Sequence, residues 1–99
     1  MIRHIICWKL AATDPAQRAE DASVISSELN GLVSLIPEIS SLTVSTNAVD
    51  IDGNWDLALV IDFADEAALR VYGPHPEHQR VVEIVKPRVS ERSAIDILV

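Results

Sequence analysis

The run VYGPHPEHQRV, residues 71–81, sets Tyr72, His75 and His78 around two prolines. An imidazole takes or gives a proton near pH 7, and small changes of environment move it across that range. A phenol beside it can donate a hydrogen bond to an oxyanion as it forms. Aimed together into an apolar pocket, the two groups suit enolate chemistry, with His78 as general base and Tyr72 as donor to the carbonyl oxygen. Aldol closure of an oxo-substituted chain is one example. His4 is a third candidate, either orienting the pair or handling a second proton. Each residue also has a structural reading. A histidine on an apolar face can be a core residue with one satisfied hydrogen bond. Tyr72 can lend its ring to the core and its hydroxyl to a backbone carbonyl. His75, at a helix junction, reads as a cap.

Other chemistries find less support. His75 and His78 stand at i, i+3, a spacing that can pair two metal ligands on a helix. Pro76 opens the helix, however, so His75 lies outside the regular turn, and Glu77 points to a different side. No metal site is expected. No glycine-rich phosphate fingerprint appears, and no flavin, haem or other cofactor is expected. Cys7 has neither a histidine within obvious reach nor a helix N-terminus to activate it as a nucleophile. Asp50 and Asp52 read as loop charges.

The elements that must carry these groups follow from periodicity and punctuation. Residues 2–10 alternate, with Ile2, His4, Ile6, Trp8 and Leu10 on one side and Arg3, Ile5, Cys7 and Lys9 on the other. Both sides hold apolar residues, so this strand is expected to be covered on both faces. Asp14 and Pro15 open a helix, and Gln17 can complete a capping box. Its stripe of Ala22, Ile25, Leu29, Leu32, Val33 and Ile36 runs to Pro37, with Glu20, Asp21 and Glu28 toward solvent. Residues 39–47 make a second strand, and AVDIDGN a turn tipped by Gly53-Asn54. WDLALVIDF is a third strand with a bulky row of Trp55, Leu57, Leu59, Ile61 and Phe63. Asp65 caps a short helix that ends near Tyr72. Pro76 starts another, 76–86, with a stripe of His78, Val81, Val82 and Val85. Residues 90–99 finish as a strand with Ile95, Ile97 and Val99 on one side.

The order β-α-β-β-α-β, with right-handed crossovers, gives a four-stranded antiparallel sheet with its helices on one face: the ferredoxin-like arrangement of the α+β class. His4, Tyr72 and His78 then converge between sheet and helices. The opposite face, with Ile5, Cys7, Ala58, Val60 and part of the last strand, stays open in a monomer, and such a patch calls for a partner. Two sheets packed face to face would close an eight-stranded barrel as an isologous homodimer.

Composition narrows the partners. The chain has 99 residues, enough for one domain, and 48% of them are apolar. A net charge of -7 disfavours nucleic acid and anionic membrane surfaces, which demand clustered lysine and arginine. A single cysteine leaves no internal disulfide, which fits a cytoplasmic protein. The apolar start is interrupted by His4 and Lys9 and has no small-residue cleavage site, so it reads as structure and not as a signal peptide.

Four segments together, MIRHIICWKL, WDLALVIDF, HPEHQRVV and SERSAIDILV, resemble the stress-responsive A/B barrel, or Dabb, family across Ile2 to Val99. The resemblance implies one domain over residues 1–99 and a homodimeric α+β barrel. Many members have no assigned activity and are linked only to stress. One plant member, a polyketide cyclase, performs an intramolecular aldol condensation with a tyrosine and a histidine matching Tyr72 and His78. A strand-one pocket histidine of that enzyme matches His4, whereas its third-strand pocket histidine meets Leu57 here. The resemblance therefore implies cofactor-free acid/base chemistry on a small oxo or polyketide-like compound. The alternatives are a non-catalytic dimer that binds a small apolar ligand, or a monooxygenase like other dimeric barrels of related shape.

Overall fold

The computed structural model describes residues 1–99. Strand β1 (Ile2–Leu10) lies at the centre of the sheet, between β3 (Leu57–Phe63) and β4 (Val89–Leu98), with β2 (Ile39–Thr46) outside β3. All pairings are antiparallel, giving the ferredoxin-like order β2-β3-β1-β4. Three helices complete the chain: α1 (Pro15–Gly31), α2 (Glu66–Tyr72) and α3 (Pro76–Val85). None is long and apolar enough to cross a membrane.

Strand alternation decides which residues meet the helices. His4, Ile6 and Trp8 of β1 stand opposite Ile61, Leu59 and Leu57 of β3, and both rows are buried. Ile25 and Leu29 of α1 close over them with Phe63, Val81 and Val85. Burying each large side chain is worth roughly 1.5–3 kcal/mol, so this layer supplies most of the driving force. The other face carries Ile5 opposite both Val60 and Ile95, and Cys7 opposite Ala58. Its apolar side chains are half-covered or exposed, with Ile95 59% accessible.

The ends of the elements show local chemistry at work. The Asp14 carboxylate accepts the Gln17 N–H at 2.9 Å and the Asp65 carboxylate accepts the Ala68 N–H at 2.9 Å, each satisfying a helix-start donor. His75 caps α3, its Nδ1 accepting the Glu77 N–H at 3.1 Å. Gly53 sits at the β2–β3 turn with φ 92°, a left-handed conformation that glycine adopts without Cβ strain.

Four expectations from the sequence need correction. The capping box is half made: the Gln17 side-chain amide donates to Asp21 at 3.0 Å, and its oxygen does not accept the Asp14 N–H. Asp21 is buried, not solvated, since Arg88 from the far end of the chain comes within 3.4 Å of its carboxylate. That approach is an ion pair without hydrogen-bond geometry, and Arg88 Nε has no other partner. The helical stripe does not run unbroken to Ile36. A tighter 3-10 turn, Leu32–Ser34, follows α1, and its three-residue period leaves Val33 46% exposed while Leu32 and Ile36 stay buried. Finally, Trp55 does not join the buried row of β3. The Asp56 carboxylate takes the Leu10 N–H at 2.8 Å and Arg18 at 2.8 Å, so the alternation restarts at Leu57. The Trp55 ring lies instead beneath the Lys9 ammonium, 5.1 Å from its centroid, lining a shallow hollow with Cys7 and Ala58.

The Asp21 cluster is open to test. Asp21→Ala is expected to lower the unfolding free energy by about 1–3 kcal/mol, the cost of leaving buried polar partners unmatched. Urea midpoints measure this, and an unchanged midpoint would show that the pair contributes nothing.

Candidate active site

Tyr72 ends α2 and His78 lies in the first turn of α3, so the Gly73–His75 junction brings them together. The junction is tied by the His75 N–H donating to the Tyr72 carbonyl at 3.2 Å. The rings of Tyr72 and His78 lie 4.2 Å apart, centroid to centroid, tilted by 37°. Phe63 packs on Tyr72 at 5.2 Å. His4 approaches Tyr72 edge-on at 6.2 Å. All three candidate residues thus meet around one phenol.

A cavity of about 510 Å³ opens beside this cluster, between α3, β4 and the sheet. Tyr72 and His78 line it, as do polar residues of the β4 side including Arg92, and Ile6, Trp8, Leu59 and the valines of α3 form its apolar walls. His4 does not line it. That side chain sits behind Tyr72, and its Nδ1 is 2.5 Å from the Asp96 carboxylate. A carboxylate only accepts, so His4 Nδ1 carries the hydrogen, and Asp96 fixes the ring's orientation.

The same reasoning settles the His78 tautomer. Its Nδ1 lies 2.7 Å from the Gly73 carbonyl oxygen, which can only accept. Nδ1 therefore donates, and the Nε2 of the neutral ring keeps a lone pair. Burial favours this neutral form and pushes the His78 pKa below the ordinary imidazole value. The bond to Gly73 opposes that shift, while the nearby Arg92 guanidinium reinforces it. Tyr72 is 2% accessible, and burial pushes its phenol up to about 12, against a smaller downward pull from Arg92. At neutral pH the site holds an uncharged base beside an uncharged donor.

That burial has a consequence for stability. The unfolded chain loses the Tyr72 proton near pH 10, whereas the folded chain keeps it to about 12. Stability is thus full below pH 10 and declines as pH rises toward 12, by roughly 2–3 kcal/mol for a shift of that size. Denaturant unfolding at pH 9 and pH 11.5 should show a steeper alkaline loss in the wild type than in Tyr72→Phe. Equal losses would contradict it.

The family model for the Stress Responsive A/B Barrel Domain matches residues 2–99. The chain belongs to this family. A dimeric ferredoxin-like protein of unknown function from Thermobifida fusca is 28% identical, superposes with a TM-score of 0.82, and matches 99% of this chain and 90% of its own. A dimeric protein of unknown function from Bacteroides fragilis is 23% identical, with a TM-score of 0.87 over 97% of this chain and 93% of that one. A hydroxynitrile lyase from Passiflora edulis shares the fold at 14% identity, with a TM-score of 0.81 over 99% and 92%. No curated protein sequence matches the chain.

Two residues of the candidate site carry no sequence signal of their own: Asp96, which holds His4, and Arg92, which lines the cavity. Both lie on β4, four residues apart and so on the same face of the strand. Only the pairing of Trp8 with Arg92 and His4 with Asp96 shows which charges face the helices. The period-2 alternation on its own was the available signal, and it groups Arg92 and Asp96 together without saying which face they take.

Proposed function

We propose that this A/B barrel protein is a homodimeric, cofactor-free acid/base catalyst acting on a small oxo or polyketide-like compound in the cavity beside Tyr72 and His78. One observation carries the reading: an imidazole, tethered through Nδ1, stands beside a buried phenol in the wall of a largely apolar hollow. The substrate carbonyl accepts a hydrogen bond from the Tyr72 hydroxyl. His78 Nε2 takes a proton from the adjacent carbon. The C–H electron pair becomes the C=C bond of an enolate, and the carbonyl π pair moves to oxygen. That enolate carbon attacks a second carbonyl of the same chain, and the resulting alkoxide takes the proton back from His78. His4, held by Asp96, keeps Tyr72 in place.

The open sheet face supports the homodimer and its placement, since Ile5, Val60 and Ile95 form an apolar centre there. The Thermobifida and Bacteroides neighbours, both described as dimeric, support it. The single cysteine, half-covered on that face, suits a reducing cytoplasm.

Exchange of deuterium from D2O into the α-position of 4-phenylbutan-2-one, followed by proton NMR, tests the chemistry without the physiological substrate. The wild type should accelerate exchange, and Tyr72→Phe and His78→Gln should each fall near the uncatalysed rate. Equal rates in all three proteins would reject the assigned roles and leave a binding protein.

A further inference from the structure

We propose that the ligand of this cavity is an oxo acid, its carboxylate held by Arg92 and its apolar body lying along the valines of α3. The proposal rests on the acid/base reading of the same site and adds the charge of the substrate. Arg92 stands opposite Trp8 in the β1–β4 register, on the helix side of the sheet, and lines the cavity. Every other arginine of the chain is in an ion pair: Arg3 with Asp62, Arg18 with Asp56, Arg70 with Glu66, Arg80 with Glu28 and Glu77, and Arg88 with Asp21. Arg92 alone is left without a carboxylate partner.

A guanidinium offers a planar fork of donors that matches a carboxylate in two parallel hydrogen bonds. Lys86 on the rim adds a second positive charge. Glu91, the acidic residue of the lining, has its carboxylate 3.4 Å from Lys9. The hollow thus combines apolar walls with two positive lining residues, in a protein whose net charge is -7. The charge on Arg92 also reaches Tyr72 and His78, which places it within electrostatic range of both. An acid anchored at Arg92 would present its oxo carbon toward the phenol and the imidazole. The largely apolar lining of the hollow favours a carbon chain over a small inorganic anion.

Calorimetric titration of the full-length protein with 4-benzoylbutyrate and with its primary amide tests this. The acid should bind at least about tenfold tighter, the equivalent of 1.4 kcal/mol. Arg92→Gln should bring the acid down to the affinity of the amide while leaving the amide unchanged, and Arg92→Lys should recover part of the difference. Equal affinity for acid and amide, or an equal loss of both in Arg92→Gln, would overturn the proposal. Should neither compound bind while ketone exchange is still accelerated, the oxo-acid assignment falls and the acid/base reading stands. Absence of both binding and exchange removes the two together.

Discussion

Replacing His78 by glutamine is expected to slow ketone exchange by about 10²–10⁴-fold, the usual contribution of a positioned general base. The fold should survive the change. A glutamine amide can still donate toward the Gly73 carbonyl, which also receives the Gln79 side chain at 2.8 Å. What glutamine lacks is a basic nitrogen at the position of Nε2. The pH dependence separates this role from a structural one. Burial favours the neutral ring, so the wild-type rate should be flat through neutrality and fall only below the ordinary histidine value. The acid limb should vanish in His78→Gln along with most of the rate. An acid limb that persists unchanged would assign the base to another group.

Val60→Asp is expected to convert the dimer into monomers. Val60 faces Ile5 across β1 and β3, and Ile5 faces Ile95 across β1 and β4, so the substitution falls at the centre of the open sheet face. Interfaces of stable dimers bury about 800 Å² per partner, and the apolar patch on this face must supply the core of that area. An isologous contact brings in two new carboxylates, one from each protomer. Desolvating them beside each other costs several kcal/mol, which weakens association by at least about a thousandfold. Light scattering should report twice 10.8 kDa for the wild type and 10.8 kDa for the variant at micromolar concentration. The monomer should keep its helical signal, because Val60 faces away from the helix-side core. A variant that remains dimeric would place the interface elsewhere.

The fold was legible where local rules and burial agree. Asp14, Asp65 and Pro76 mark helix starts because each satisfies or removes an orphan N–H. The alternation of β1 and β3 places His4, Ile6, Leu59 and Ile61 on one side because a strand has a period of two. His78 could be put on the inner face of α3 from the valines at three- and four-residue steps. What the sequence hid were the effects of distant partners. Asp21 reads as a solvent charge until Arg88 arrives from the far end of the chain. Trp55 reads as core until Asp56 is drawn to Leu10 and Arg18, shifting the strand's start. Arg92 and Asp96 carry no signal of their own until β4 pairs with β1. Local periodicity has no access to such contacts, which depend on register between segments far apart in sequence.

Nitrogen-15 NMR of the histidine rings in the unliganded wild-type protein reads the protonation of His78 at each ring nitrogen. At pH 7 His78 should carry its proton on Nδ1 and none on Nε2, with a titration midpoint below that of an ordinary histidine. A protonated Nε2 at neutral pH, or a midpoint above the ordinary value, would contradict its role as general base.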